Sequence, residues 1–259
     1  MVTTGLPLSG STAKPSYLSR LLDVLELAVT DDAARRSLSQ LAATAGVPLS
    51  TASRLVSLLV DRGLLHALPG GGFGAGPRMM HLAVRALAQL RDGDRLESAV
   101  RSLAEQTGES VSAGLLVGDG IVLVARQEPD HALRAVARVG DIVTAHTSAM
   151  GKAILAHLPA ERQLALIRRE LGEGAEDALA QLHEEVQTIR AEGFSVDEET
   201  YTPGLRCRAA ALLGRDGVAV GGLSIAGPAA RYTQEKATAD LPALRAEADR
   251  VSLVVRSHQ

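Results

Sequence analysis

Residues 37–61 read SLSQLAATAGVPLSTASRLVSLLVD, and this stretch decides the fold of the first third of the chain. Ser37 to Gln40 has the form of a capping box, a hydroxyl that accepts an exposed N–H and a glutamine three residues on that reaches back. Leu38, Leu41, Ala42 and Ala45 follow at helical spacing, and Gly46 supplies the left-handed turn that stops the helix. A second helix is expected to start near Pro48 to Ser50, where the missing proline N–H is harmless. Two short helices across a glycine turn make a helix-turn-helix. In the second helix Ala52, Leu55, Val56, Leu59 and Val60 are expected inward. Ser50, Arg54, Ser57 and Asp61 fall on the opposite side, flanked by Thr51 and Ser53. Small hydroxyl side chains let a helix lie deep in a major groove, where Arg54 reaches a phosphate or a guanine edge. Two ordinary core helices of an all-α domain would share the caps, though not the small polar outer face.

Working outward, Leu18, Leu21, Leu22 and Leu25 predict an amphipathic helix from Tyr17 to about Ala28, followed by a polar loop from Thr30 to Arg36. Residues 1–15 are rich in Ser, Thr, Gly and Pro and read as a flexible N-terminal segment. Downstream, Leu64 to Leu68 and Phe73 to Ala75 flank Pro69-Gly70-Gly71-Gly72, a small hairpin or wing. The next apolar stripe, residues 79–91, is either core or a connecting helix that pairs with its copy in a dimer.

The whole chain, 259 residues with a net charge of −3, suits two domains better than one. Residues 1–92 carry 9 Lys+Arg against 6 Asp+Glu, and residues 93–259 carry 18 against 24. The first part is therefore basic and the second acidic, as expected if only the first meets phosphate. With Trp absent and 2% aromatics, the core must be aliphatic. Neither a membrane-crossing apolar run nor a secretory leader pattern is seen, and the single cysteine, Cys207, fits a reducing compartment, so a cytoplasmic protein without membrane association is expected.

The second part opens with a helix, Asp94 to Thr107, with Asp94 as its cap. Strands are expected at Val111 to Val117 and Ile121 to Arg126 around Gly118-Asp119-Gly120, at Leu133 to Val139, and at Arg206 to Leu213 and Val218 to Ile225. Helical patterns cover Ser148 to Leu158, Ala160 to Leu171, Ala175 to Glu192, and Thr233 to Val255. An antiparallel sheet with helices grouped against it is an α+β domain. Asp197, Cys207 and Ser224 sit on three separate strands or strand ends and can converge on a ligand cavity, while Thr147 to Lys152 enters a helix whose exposed N–H groups suit an anion. Taken singly, each is equally a satisfied core or turn residue. Arg126, Arg134 and Arg138 read as solvated strand-face charges. His146, Asp197 and Cys207 lack close ligand spacing, so no metal is expected; the known phosphate-binding glycine patterns are absent, so no cofactor is expected either. A Cys207 nucleophile served by His146 is chemically conceivable and has no motif behind it, so no catalytic residue is assigned.

With these segments laid out, the chain resembles the IclR family of bacterial transcription regulators along nearly its whole length. Ser39-Gln40-Leu41-Ala42 through Gly46-Val47-Pro48, with Ser50-Thr51-Ala52-Ser53-Arg54-Leu55, resembles the family's DNA-reading stretch, and Gly76-Pro77-Arg78 its wing exit. Residues 146–153, 193–199, 204–207 and 223–228 resemble its sensor signatures. The resemblance implies a winged helix-turn-helix over residues 16–76, a linker and dimerisation helix over 77–92, and a GAF-like effector-binding domain over 93–259. It implies DNA contact by Ser39, Ser50, Thr51, Ser53, Arg54 and Ser57, and effector contact by Ala149, Met150, Asp197, Cys207 and Ser224. The implied partners are double-stranded, palindromic operator DNA, a small organic effector, and further copies of the chain in a dimer or tetramer. Ala226 stands where some acid-sensing members carry a second serine, and Thr144-Ala145 replaces the more usual Pro-Leu. One lost hydrogen bond, worth ~0.5–1.5 kcal/mol net, makes the cavity less polar, which disfavours a small keto acid and leaves an aromatic or other less polar acid open. The rival expectations are an enzyme built on the Cys207 region carrying a DNA-binding module, and a constitutive DNA-binding protein with no effector.

Overall fold

The computed structural model describes residues 16–30, 36–87, 93–131 and 137–258. The chain falls into two compact units that divide between Arg91 and Asp92. Residues 1–15, the loop expected at 31–35, the end of the linker stripe at 88–92 and most of the strand expected at Leu133 to Val139 lie outside the described residues.

In the first unit, Tyr17–Val29 forms α1, Leu38–Thr44 α2 and Leu49–Asp61 α3, followed by β1 (Leu65–Ala67), β2 (Phe73–Ala75) and α4 (Pro77–Leu87). The capping box is formed: Gln40 N donates to Ser37 Oγ at 3.3 Å and Ser37 N to Gln40 Oε1 at 2.8 Å. Gly46 has φ +63°, with Val47 N donating back to Ala42 O at 3.0 Å, and the chain turns by 112° between α2 and α3. Val24, Leu41, Leu55, Val56, Leu59 and Leu65 are the buried centre of this unit. The antiparallel β1–β2 ribbon pairs Leu65 with Ala75 and Ala67 with Phe73, and Pro77 opens α4 at a position where its missing N–H costs no bond. At Gly76 a Cβ would sit 2.3 Å from Gly63 O, so the ribbon and α4 can meet only through a glycine.

The second unit runs α5 (Gly93–Thr107), β3 (Ser110–Val117), β4 (Gly120–Gln127), β5 (Ile142–Val143), α6 (Ala149–Leu155), α7 (Ala160–Leu171), a 3-10 turn (Gly172–Gly174), α8 (Ala175–Gln181), α9 (His183–Glu192), β6 (Ser195–Glu198), β7 (Leu205–Leu213), β8 (Ala219–Pro228), α10 (Gln234–Ala239) and α11 (Leu241–His258). Its strands form one antiparallel sheet in the order β5-β4-β3-β8-β7-β6. Side chains alternate across a sheet. One face, with Val111, Ala113, Ala125, Ala210, Leu212, Leu223 and Ile225, packs on α5 and α11; the other, with Leu123 and Ala209, lies under α6 and the helices after it.

Four expectations need correction. The helix expected over Ala175 to Glu192 is two, breaking at Leu182, and that over Thr233 to Val255 is two, breaking at Asp240 just before Leu241-Pro242, where proline has no N–H to continue the ladder. Asp94 lies inside the first turn of α5, which begins at Gly93. Val60, expected inward, is exposed, because α3 outlasts the core at its last turn. No single described helix is long and apolar enough to cross a membrane.

Candidate functional sites

On α3, Ala52, Leu55, Val56 and Leu59 anchor the helix, and the anchoring fixes what points away from it. Ser50, Ser53, Arg54 and Ser57 are exposed, Thr51 is half-buried, and Ser39 is exposed on α2. Asp61 closes the same outer face with a negative charge. The wing turns through Gly70, Gly71 and Gly72, all at positive φ, and His66 Nδ1 lies 3.1 Å from Ala75 O across the ribbon. This arrangement presents one cation among hydroxyls on a convex helix, beside a tip whose backbone is uncovered by side chains.

The second candidate site lies on the α6 side of the large sheet. Asp197 is directly opposite Cys207, Cys207 opposite Ala226, and Ala226 opposite Ser110, giving one row across four strands. The next row runs Ser195, Ala209, Ser224, Ser112 and Arg126. Asp197, Cys207 and Ser224 are thus brought to one face, as the alternation of side chains requires. On β8, an inner strand, Ser224 and Ala226 keep partial exposure while their neighbours Leu223 and Ile225 on the other face are fully buried, so this face is less completely covered than that one.

α6 crosses the same face. Ser148 caps it, accepting from Gly151 N at 3.0 Å and donating to Thr144 O at 2.6 Å. At Gly151 a Cβ would lie 2.3 Å from Thr144 O, so the helix and its entry loop lie against each other only because no side chain intervenes. Glu170 holds that loop from outside, accepting from Ala145 N at 2.6 Å and pairing with His146 Nδ1 at 2.6 Å. Lys152, buried, reaches Glu185 at 2.5 Å, and Ser195 Oγ donates to Ala149 O at 2.5 Å, tying β6 to the first turn of α6. The Met150 side chain packs over Gly114 and Gly222, and the residue is buried.

Polarity on this face is incompletely satisfied. Asp197 is 2% exposed; its Oδ1 accepts from Thr200 N and Tyr201 N, while its Oδ2 has no partner among the described residues. Ser110 Oγ is buried and equally unpartnered. Burial pushes the Cys207 thiol up to about 12, with Asp197 adding to the rise and Arg208 and Arg126 opposing it, so the sulfur stays protonated and un-nucleophilic at neutral pH. Arg126, expected to be a solvated charge, is the main correction here: its side chain is 7% exposed and its Nη1 donates to Ser112 Oγ at 2.7 Å. Arg134 lies outside the described residues. Ser110, Ser112 and Arg126 were missed because nothing in a lone strand pattern shows which polar residues share a row with β7 and β8. Two hollows, of about 510 and 530 Å³, lie elsewhere, one on Phe194 and α11 and the other between α5 and the end of β4, and neither includes a site residue. The unpartnered buried oxygens are the better guide to a ligand than these surface hollows. Among the described residues no three His, Cys, Asp or Glu side chains gather as a metal site.

Comparison with known proteins agrees with both halves. Residues 90–253 match the family model of the bacterial transcriptional regulator IclR C-terminal domain, and residues 18–69 match the IclR helix-turn-helix domain. The chain is 30% identical over 227 residues to the HTH-type transcriptional regulator BhcR of Paracoccus denitrificans, covering 86% of this chain and 81% of that one. Among solved structures it is similar to a transcriptional regulator of Rhodococcus sp. RHA1, with TM-score 0.72, 28% identity and coverage of 94% and 99% of the two chains. The fold is also that of an IclR homolog from Microbacterium hydrocarbonoxydans crystallised with 4-hydroxybenzoate, with TM-score 0.74, 22% identity and coverage of 93% and 100%.

Proposed function

This chain belongs to the IclR family of bacterial transcriptional regulators, and from that premise we propose that it is a cytoplasmic, effector-responsive regulator of a catabolic operon for an aromatic or other small organic acid. Residues 16–76 read the operator, 77–92 join and dimerise, and 93–259 sense the effector. Ser39, Ser50, Thr51, Ser53, Arg54 and Ser57 face the DNA. Ala149, Met150, Asp197, Cys207 and Ser224 surround the ligand, Ala149 and Met150 through backbone N–H groups at the start of α6. The exposed Met80, Leu82 and Val84 on α4 support pairing of two copies over a palindrome, and two dimers can join as a tetramer. The protonated Cys207 thiol supports a binding role over an enzymatic one.

The observation that carries the DNA-reading assignment is the outward row of Ser50, Ser53, Arg54 and Ser57 over the buried Leu55, Val56 and Leu59. Arg54→Ala is expected to weaken operator binding by ~1 kcal/mol or more in a titration at fixed salt. A uniform loss across sequences with a salt slope lower by about one marks a phosphate contact, and relaxed preference at one base pair marks a base contact. Unchanged binding removes Arg54 from the interface.

A further inference from the structure

The six-stranded sheet ends in β5 on one side and β6 on the other. β5 is two residues long and β6, Ser195–Glu198, is four. Two hydrogen bonds decide which backbone groups β6 leaves unused. Glu199 N donates to Leu205 O at 3.1 Å, and Ala229 N to Gly204 O at 2.8 Å. Carried along the antiparallel registers, the first turns the backbone groups of Ser195 and Asp197 toward β7, and the second turns the even-numbered residues of β7 toward β8. Val196 and Glu198 therefore aim N–H and C=O away from the sheet, and nothing among the described residues takes them. Proteins guard such an edge with lysine, proline or another charge. β6 has neither lysine nor proline, and the charge of Glu198 is taken up by Arg206 and Arg208.

The side chains along this edge are ordered by chemistry. Before the strand lies the hollow of about 510 Å³ between Phe194 and α11, lined also by Leu241, Pro242 and Arg245. Arg245 is exposed, forms no ion pair with any described residue, and lies against Gly193, where a Cβ would come within 3.4 Å of its Nε. In the middle, Val196 is 38% exposed. After the strand comes Glu199, exposed, with one carboxylate oxygen accepting from Gly204 N. An uncommitted cation, an apolar centre and a carboxylate, read in the opposite direction, are their own complement.

We infer that β6 is the surface on which a second copy of this chain docks, the two edges pairing antiparallel about a twofold axis at Val196 so that the two sheets run on as one. The inference rests on the tetramer reading above and names the face that joins its dimers. Like charges settle the register. Centring the pair on Asp197 sets that carboxylate against its copy, and centring it on Glu198 does the same there; directly opposed like charges are unfavourable. Centring on Val196 sets valine against valine, each N–H meeting the C=O of the other. Phe194 then faces Glu198 of the second copy and Gly193 faces its Glu199, so Arg245, lying on Gly193, meets the Glu199 carboxylate on both sides of the axis.

Sedimentation velocity of the full chain over a range of concentrations tests this. The unmodified chain is expected to pass from dimer to tetramer as concentration rises. Val196→Lys, which brings two ammonium groups together on the axis, should weaken that step at least about tenfold and leave the dimer intact. Arg245→Glu should weaken it likewise, while Val117→Lys, an added charge at the exposed end of β3, should leave it unchanged. Both altered β6-edge positions are exposed, so each protein should keep the melting temperature of the parent. A tetramer step unmoved by Val196→Lys or by Arg245→Glu, or weakened equally by Val117→Lys, overturns the inference and leaves the tetramer reading standing. An unmodified chain that stops at the dimer removes the tetramer reading. If Val196→Lys then divides that dimer into monomers, β6 stands as the docking surface; if it does not, the inference falls as well. An unmodified chain that is monomeric throughout overturns both.

Discussion

Asp197 and Glu109 are both carboxyl groups removed from water, and their neighbours give them different work. Glu109 is fully buried, with Arg231 Nη2 at 2.7 Å and Lys236 Nζ at 3.0 Å, both on the chain that follows β8. Burial alone would raise its pKa; the hydrogen bonds from Arg231 and Lys236 outweigh that and hold it below the usual carboxylate range. A folded-state pKa below the unfolded one gives stability that is present above the ordinary carboxylate range and is lost as pH falls through the folded value. Glu109→Gln is therefore expected to cost about 2 kcal/mol at neutral pH, less than a fully sealed pair because both cations are partly solvated. Chemical denaturation across pH checks this: the gap between the two proteins should close on acidification through and below the range near 4, and a gap constant with pH would refute the pairing. Single residues were unevenly legible from the sequence. The outward hydroxyls and Arg54 followed from helical periodicity alone, because that pattern is local. The burial of Arg126 did not, because it depends on β3 lying between β4 and β8, a pairing between segments about a hundred residues apart.

At the scale of elements, the capping box, the glycine turn and the wing are written in neighbouring residues and appear in the structure where their chemistry puts them. Breaks within apolar helical stretches were less visible: Leu182 keeps helical backbone angles, so nothing in its side chain announces the end of α8. The seat of α6 is a case of contact rather than propensity. Gly46, at φ +63° with open space around it, is needed for its backbone angles; Gly151 is needed because Thr144 O and Ala145 occupy the place of its Cβ. Gly151→Ala must push the loop from Thr144 to Ser148 away from α6, at a cost of roughly 1–3 kcal/mol, typical of forcing an extra methyl into a packed site. Thermal unfolding of the full chain should show that loss, and ligand affinity should fall with it because the loop bearing Ser148 and Ala149 shifts. A variant as stable as the parent, with the same affinity, would mean the loop and α6 are not held against each other as described.

For the whole molecule, the charge division between a basic first part and an acidic second part separates the two tasks, since phosphate contact needs cations only where the helix-turn-helix lies. The family assignment makes the chain a transcriptional regulator, and in the proposed reading the sheet face under α6 receives the chemical input. Input and output are linked only if the acid binds the DNA-competent and DNA-incompetent states with different affinity. Fluorescence anisotropy at fixed salt, on a duplex selected by the protein from random sequence and titrated in the presence and absence of saturating 4-hydroxybenzoate, measures that difference directly. The expected result is a change in operator Kd of about tenfold, within the usual range of coupling energies, that disappears in the Asp197→Ala and Ser224→Ala proteins. An operator Kd identical with and without the bound acid would contradict the account.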